Sequence, residues 1–214
     1  MRLYSKNLLM SRSSEEYEVL NSLKINKQCF FLLDEFQIVE GIKIEMLAHI
    51  DKETTGNQPY FWYMGVANDK TAIRVSARHP MNIYRFYICS GYWETLNNHV
   101  GTYKKRKVVV EWLPDGYAKT SVLEPDETSV FSVVNPTELV ASSYPFCIFG
   151  NTSSIATFSG LFYSFKITQN GETIYDIVPA MRTTDGEFGL LNKVDGKFYE
   201  NEGTGTLERG EENA

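Results

Sequence analysis

Residues 159–210 read SGLFYSFKITQNGETIYDIVPAMRTTDGEFGLLNKVDGKFYENEGTGTLERG and contain three turn signals, Asn170-Gly171, Asp185-Gly186 and Asp195-Gly196. Each signal is flanked by residues that favour strands. Asn-Gly and Asp-Gly supply the positive φ that a tight type I′ turn requires, so the chain is predicted to double back at all three places. The last third of the chain therefore predicts antiparallel β structure.

The rest of the chain carries the same kind of signal. Residues 42–50, IKIEMLAHI, alternate between apolar and mostly polar side chains, which is typical of a half-buried strand. Further strands are predicted at 60–66, 72–77, 82–90, 106–113, 117–123, 145–150, 161–169, 172–180, 188–192 and 197–200. Turns every eight to twelve residues fit a sandwich or a barrel. Helical periodicity is weak, and we expect at most a few helical turns, at residues 14–23.

Length and composition favour one domain. A chain of 214 residues matches a single large β-sandwich, and no linker, repeat or low-complexity segment divides it. We expect an N-terminal arm at 1–16, one sandwich domain at 17–210 and a frayed tail at 211–214. Cys29, Cys89 and Cys147 each lie in an apolar run, which is typical of buried free thiols rather than of a disulfide framework.

Charge and hydropathy exclude several partners. The formal net charge is −6 and the isoelectric point about 5.2, whereas nucleic-acid binding needs a basic surface. The one basic run, at 104–107, is interpreted as a solvated loop. The N-terminus is too polar for a signal peptide, and no segment reaches the roughly 20 apolar residues of a membrane span. We expect neither a nucleic-acid nor a membrane partner.

The C-terminal stretch resembles the closing segment of concanavalin A-like, laminin-G-like jelly-roll domains, which occur in phage structural proteins and bacterial surface proteins. The resemblance is carried by GLFYSFKI at 160–167, YDIVPA at 175–180, GLLNKVDGKFYEN at 189–201 and GTGT at 203–206. The N-terminal part is less similar, since FFLLD at 30–34 keeps the apolar run of the family but departs from its pattern. The resemblance implies an all-β fold, a two-sheet antiparallel β-sandwich.

Catalytic and metal-binding patterns are weak. Some jelly rolls hydrolyse glycosidic bonds with two facing carboxylates, and the nearest approach here is Glu124-Pro125-Asp126-Glu127, where the proline favours a loop. Asp51 and Glu53 end a strand without a partner in line. We interpret all of these as solvated turn carboxylates and predict no enzyme activity. Asp51 and Asp69 lie in no calcium-binding pattern, so we predict no metal and no cofactor.

Aromatic residues near amides are the remaining binding signal. A sugar presents apolar C–H faces ringed by hydroxyls, so its site combines an aromatic ring with amide or carboxylate groups. Two segments have this mixture, 57–63 and 84–98. The predicted ligand-binding residues are Trp62, Tyr63, Tyr92, Trp93, Glu94, Asn97 and Asn98. Core packing is the alternative for each ring, and Trp112 is assigned to the core.

Two functions follow from the resemblance and from these segments. The first is a non-enzymatic, lectin-like module on a virion, at a phage tail, fibre or capsid, that recognises a host surface glycan. The second is a structural virion protein without a ligand, attached through the arm at 1–16. A glycoside hydrolase is a third, minor hypothesis. We expect a homo-oligomer or a part of a larger assembly, located in the virion or in the host cytoplasm before assembly, with a glycan or other virion proteins as partners.

Overall fold

A computed structural model of the chain describes residues 16–34, 39–51, 59–64, 73–78, 83–89, 91–95, 102–114, 116–137, 146–150 and 158–211, with the backbone alone at 78 and 91–94. These residues form seventeen strands and no helix. The strands are β1 Tyr17–Val19, β2 Leu23–Ile25, β3 Phe31–Leu33, β4 Ile42–Ile50, β5 Tyr60–Met64, β6 Ile73–Arg78, β7 Ile83–Ile88, β8 Gly91–Glu94, β9 Arg106–Leu113, β10 Tyr117–Leu123, β11 Ser129–Pro136, β12 Phe146–Ile148, β13 Gly160–Gln169, β14 Glu172–Arg182, β15 Phe188–Asn192, β16 Phe198–Tyr199 and β17 Leu207–Arg209.

The strands form two antiparallel sheets. The eleven-stranded sheet follows the order β11-β10-β9-β4-β13-β14-β15-β16, and the six-stranded sheet follows β3-β12-β5-β6-β7-β8. In the eleven-stranded sheet, β13 and β14 pair only over the residues next to their shared turn, 165–169 with 172–177. Where the two strands separate, β2 pairs with the start of β13, β1 pairs with the end of β14, and β17 adds to β2. The short strands near both ends of the chain therefore complete this sheet.

The core lies between the two sheets. β4 alternates fully buried and half-buried residues along its nine positions, as predicted, because one face of the strand points at the opposite sheet. Aromatic rings make the contacts between the sheets. Phe165 of β13 packs against Trp62 (ring centroids 6.1 Å apart) and Phe146 (5.3 Å), and Phe131 of β11 stacks on Phe86 (6.4 Å). The sandwich is thus closed by large rings from both layers.

The three predicted turns differ from one another. Asn170 and Gly171 both have positive φ, 50° and 84°, as a type I′ turn requires. In the other two turns only the glycine has positive φ, and the loops are longer. Arg182 donates its N–H to the carbonyl of Glu187 (2.8 Å), which places four residues in that loop. The type I′ prediction was therefore wrong for both Asp-Gly turns, in which the aspartate instead accepts a backbone N–H two residues further on.

The Gly-Thr-Gly segment after β16 packs directly on the turn before β3. A Cβ atom added to Gly203 would lie 1.7 Å from the carbonyl oxygen of Gln28, so only glycine fits there. Gly205 donates its N–H to that same oxygen (3.2 Å). Asn201 Oδ1 accepts the N–H groups of Phe30 (3.1 Å) and Gly203 (3.0 Å). This close backbone approach ties the segment after β16 to the turn before β3.

The described strands confirm the all-β prediction, and residues 17–19 of the segment with helical potential form β1. None of the described residues belongs to a helix with the length and apolar character needed to cross a bilayer. Most predicted strands appear with bounds shifted by one or two residues. Six strands have no counterpart among the predicted ones: β1, β2, β3, β8, β11 and β17. Two of them are longer than three residues, β8 at 91–94 and β11 at 129–136.

Candidate functional site

The face of the six-stranded sheet that points away from the core carries an unusual row of side chains. Backbone register places Leu32, Cys147, Tyr63, Arg74, Tyr87 and Tyr92 side by side across all six strands, and we call these positions the outer row. Trp62 and Phe146 contact Phe165 in the opposite sheet. Because successive strand residues point to opposite faces, Tyr63 and Cys147 point away from the core.

Arg74 stands at the centre of the outer row. Its guanidinium carbon lies 3.8 Å from the ring centroid of Tyr87 and 5.9 Å from that of Tyr63, its register partners on the two neighbouring strands. A cation over an aromatic face is attracted by the ring quadrupole, most strongly where water is excluded. Tyr60 packs edge-to-face on Tyr63 (5.5 Å) and extends the aromatic surface. Tyr87 and Tyr63 thus flank the guanidinium, and Tyr60 supports Tyr63.

Two polar groups of β6 on this face, Arg74 Nε and the hydroxyl of Ser76, make no hydrogen bond. Arg74 Nε is buried and makes no hydrogen bond, and within the described part of the chain no carboxylate forms an ion pair with its guanidinium. Ser76, two residues further along β6 on the same face, is fully buried, and its hydroxyl also makes no hydrogen bond. A buried donor left unpaired costs about 1–3 kcal/mol. Arg74, a cation on a central strand with a ring contact and no carboxylate partner among the described residues, is therefore a candidate functional residue.

Access to the outer row varies along its length. Cys147 is 0% exposed and Tyr63 is 1% exposed, whereas Arg74 and Tyr87 are half-buried. Arg85 of β7 is also half-buried and pairs in register with Ser76 and with Glu94. Between β12 and β7, a ligand would therefore meet the row at Arg74 and Tyr87, the two residues there that are partly exposed.

The structure separates the two predicted residues of β5. Trp62 is fully buried between the sheets against Phe165, so no face of its indole is available for a ligand, and its assignment as a binding residue is corrected to the core. Tyr63 belongs to the outer row and contacts the guanidinium of Arg74. The local sequence YFWY is aromatic throughout, so it contains no polar residue that would show which side chains face the core and which face outward.

The predicted residues of the second segment lie on or beyond β8. Tyr92 pairs in register with Tyr87, Trp93 with Phe86 and Glu94 with Arg85. Tyr92 is thus the register neighbour of the tyrosine that stacks on Arg74. Asn97 and Asn98 lie outside the described residues. Tyr84, from the same segment, is fully buried, and burial raises the pKa of its hydroxyl.

Arg74 is the residue of this face that the sequence analysis missed. The signal was present in residues 72–77, AIRVSA, since Ile73, Val75 and Ala77 are buried and the residues between them point outward. Apolar residues alternate with Arg74 and Ser76 in this segment, and an arginine at an outward position of such a strand is a stronger pointer than aromatic content alone.

A second candidate is a polar groove beside β2 and β17. It consists of two adjoining depressions of about 340 and 570 Å³ that share Lys24 and Asp51. Lys24 forms an ion pair with Asp51, which also accepts a hydrogen bond from Ser159 Oγ (3.1 Å). Asn26 Nδ2 donates to Thr206 Oγ1 (2.9 Å). These polar groups already pair with one another, and the described lining contains no aromatic ring, so the outer row is the better candidate for a sugar.

The basic run at 104–107 is mostly structural. Lys104 is exposed, but Lys105 Nζ lies 3.7 Å from the ring centroid of Tyr163, and Arg106 is 4% exposed. The solvated-loop prediction was therefore wrong beyond Lys104, because β9 begins at Arg106. The hydroxyl of Tyr163 lies 3.4 Å from Nδ1 of His49, and burial lowers the pKa of this histidine.

The carboxylates weighed as catalytic groups have structural partners. Glu124 pairs with the buried Arg106, and Glu127 pairs with Lys107. Asp126 accepts the N–H of Thr128 (3.0 Å), and this bond holds the pKa of the aspartate below its usual value. All three acids stabilise the end of the β9–β10 hairpin.

No protein-family model and no curated protein matches the chain. Among solved structures, the LG1-3 region of the laminin alpha2 chain is 13% identical with a TM-score of 0.54, over 73% of this chain and 28% of that one. Domains LG4-5 of the mouse laminin alpha1 chain are 10% identical with a TM-score of 0.49, over 85% and 49%. The full-length tailspike protein 2 of Escherichia coli O157:H7 bacteriophage CAB120 is 12% identical with a TM-score of 0.49, over 74% and 25%.

This chain thus spans between a quarter and a half of the length of the chains it matches. At these identities the likeness concerns the fold, and the laminin alpha2 match carries it. The fold expected from residues 160–206 is confirmed. By its two antiparallel sheets and by this structural likeness, the chain has a laminin-G-like jelly-roll fold, a two-sheet antiparallel β-sandwich.

Proposed function

We propose that this protein is a non-enzymatic binding module that recognises a glycan through the β6–β7 part of the outer row. The observation that carries the proposal is the half-buried Arg74, whose guanidinium lies over the ring of Tyr87 and forms no ion pair with a carboxylate of the described residues. Stability alone does not account for a cation kept in this position.

The chemistry of the face suits a sugar. Tyr87 is half-buried, so the part of its ring that Arg74 leaves uncovered offers an apolar surface to the C–H face of a pyranose, and the guanidinium offers N–H donors to the ring or hydroxyl oxygens of the sugar. Binding sites of this type combine a mostly apolar surface with a few well-placed polar groups. The acids Glu124 and Glu127 are held by cations of β9, which supports binding without hydrolysis.

We further propose that the module acts on the surface of a virion, as a part of a phage tail, fibre or capsid. Support for this setting comes from the sequence resemblance of residues 160–206 to jelly rolls of phage structural proteins. Purification of the particle, followed by peptide mass spectrometry, tests the setting independently of any ligand. Absence of the chain from the particle would contradict it.

A glycan array with the intact protein tests the binding function. Wild-type protein is expected to retain a defined set of glycans, and Tyr87→Leu is expected to lose them because the ring under the guanidinium is gone. Tyr117→Leu is the matched control, since Tyr117 is 43% exposed on the eleven-stranded sheet. Trp93→Ala tests the prediction for β8 in the same assay. Wild-type protein that retains no glycan would reject the proposal, and a shortened glycan after incubation would reject the non-enzymatic part.

The alternative, an assembly protein without a ligand, is favoured by one edge of the eleven-stranded sheet. Among the described strands, β11 pairs only with β10, and Val134 on β11 is 49% exposed. An open strand edge is a template for pairing with another chain. Light scattering of wild type and Val134→Lys tests it, because a subunit contact at this edge would be weakened by the lysine. A mass unchanged by the substitution would count against this alternative.

A further inference from the structure

We propose that the outer row selects acidic sugars and that Arg74 binds the sugar carboxylate with two parallel hydrogen bonds. This inference rests on the proposed glycan-binding function and names the class of glycan. The ligand class is a saccharide that carries a carboxylate, such as a uronic acid or a sialic acid.

The position of the guanidinium is the first argument. Its carbon lies 3.8 Å from the ring centroid of Tyr87, a distance at which an arginine can stack its flat face on an aromatic ring. The N–H groups of a stacked guanidinium point outward in its own plane. A carboxylate approaching in that plane meets two donors at the spacing of its two oxygens. A single hydroxyl would use only one of these donors.

The charge of Arg74 carries the second step. β6 lies between β5 and β7 in the six-stranded sheet, and an arginine at its centre is partly removed from water. In the described part of the chain no acid forms an ion pair with it, whereas Arg106, Arg182 and Arg209 each pair with a carboxylate. Any carboxylate partner of Arg74 therefore lies outside the described residues.

The net charge of the chain is the third argument, because it bears on how an acidic ligand would be attracted. At −6, the protein as a whole repels acidic polymers, so attraction by overall charge does not account for an anionic ligand. Recognition would have to come from a local, desolvated contact. Such a contact depends on the planar shape of the guanidinium, which lysine lacks.

The test compares glycans that differ only at the carboxyl group. Binding of wild-type protein is measured by calorimetry with an oligogalacturonate and its carboxyl-reduced form, and with sialyllactose and lactose. At least one acidic form is expected to bind about tenfold or more tightly than its neutral counterpart. Arg74→Lys is expected to remove that preference although it keeps the charge.

Lys119→Gln and Arg74→Gln form the matched pair of charge deletions, since Lys119 lies on the outer face of the eleven-stranded sheet. Only Arg74→Gln is expected to lose the acidic glycan. Circular dichroism checks that each variant is folded. If the Arg74 variants are not, Tyr87→Leu replaces them, because it removes the stack and keeps the arginine.

The outcomes separate the two proposals. Equal binding of acidic and neutral forms would overturn the acidic selectivity and leave the glycan-binding function standing. No binding of either form would overturn both. An acidic preference that survives in Arg74→Lys would overturn the role of Arg74. Equally tight binding of dextran sulfate would indicate general anion attraction and would also overturn the carboxylate contact.

Discussion

At the scale of single residues, Gly203 decides how closely the C-terminal segment approaches the turn before β3. A Cβ at this position would overlap the carbonyl oxygen of Gln28, and both atoms belong to rigid backbone. We expect Gly203→Ala to lower the free energy of unfolding by about 3 kcal/mol or more, since neither backbone can yield cheaply. Urea denaturation followed by circular dichroism measures the effect.

Gly186→Ala is the control for Gly203→Ala. Gly186 has a φ of 78°, but a Cβ there would meet nothing within 4 Å. Its substitution costs only the backbone strain of a left-handed residue, roughly 1–2 kcal/mol. A loss for Gly203→Ala no larger than that for Gly186→Ala would show that the segment is not held against the turn.

The cysteines illustrate how burial sets reactivity. Burial raises the pKa of the Cys29 thiol to about 11 and that of Cys147 to about 12. At pH 8 the thiolate fraction of Cys29 is about a hundredfold lower than that of an exposed cysteine, and only the thiolate reacts. We expect slow reaction of both thiols with a disulfide reagent in the native protein and full reaction of all three cysteines in urea. Rapid native labelling of Cys29 or Cys147 would contradict this.

The same shifts predict how stability depends on pH. A thiol whose folded-state pKa is raised releases its proton more readily in the unfolded chain, whose thiols ionise near pH 9. The contribution of Cys29 and Cys147 is therefore complete below pH 9 and is lost as the pH rises toward 11 and 12. Urea midpoints between pH 8 and pH 11 should fall, and the fall should be shallower in the Cys29→Ala, Cys147→Ala double variant. Parallel slopes would refute the assignment.

At this scale the sequence predicted both Trp62 and Tyr63 as ligand-binding residues, and both are buried, Trp62 on the core face and Tyr63 on the outer face of β5. An aromatic run without polar residues contains no information about which side chain faces the core, because both faces of β5 are buried. Arg74 was missed for the opposite reason. Its surroundings read as an ordinary alternating strand, and its unpaired N–H becomes visible only once the neighbouring strands are in place.

At the scale of elements, the β9–β10 hairpin end contains two ion pairs of different burial. The side chain of Arg106 is 5% exposed and that of its partner Glu124 is 37% exposed, whereas Lys107 and Glu127 are 22% and 57% exposed. We expect Glu124→Gln to lower the free energy of unfolding by about 1–3 kcal/mol, because it removes the carboxylate that pairs with the buried Arg106. This value is smaller than the usual one for a buried pair, because Glu124 is partly exposed.

Glu127→Gln is the matched control and should cost less than about 1 kcal/mol, as for an exposed pair. Urea midpoints of both variants and of the wild type decide the comparison. Equal losses would show that the burial of Arg106 does not matter for the hairpin. Glu124 belongs to the segment that came nearest to a hydrolase pattern. If the wild type hydrolyses a glycan and Glu124→Gln does not, the hydrolase hypothesis would be supported.

Strands with a clear local signal were predicted well, and strands made by distant pairing were not. β9 Arg106–Leu113, β10 Tyr117–Leu123 and β15 Phe188–Asn192 match their predicted bounds. β1 and β17 are three residues long and pair with β14 and β2, more than 150 residues away in the chain. A three-residue strand carries too little periodicity to be identified, since its pairing is defined by the partner rather than by its own sequence.

At the scale of the whole molecule, the two sheets share one core and should unfold together. Trp62 belongs to the six-stranded sheet and Trp112 to the eleven-stranded sheet, and both are buried. Two double variants, Trp62→Phe with Trp93→Phe and Trp112→Phe with Trp93→Phe, each keep one buried tryptophan as a fluorescence probe. In each variant we expect fluorescence and circular dichroism to give the same urea midpoint. Midpoints that differ between the probes within one variant would contradict the predicted single domain at 17–210.

The pairing of β1 and β17 into the same sheet brings distant parts of the chain together. Arg209 binds both carboxylate oxygens of Glu18, with distances of 2.7 and 2.8 Å. The polypeptide therefore enters and leaves this fold at neighbouring points on one side. Such a fold can be spliced into a surface loop of a host protein without stretching that loop, and a circular permutant that joins these two points through a short linker should keep the same architecture.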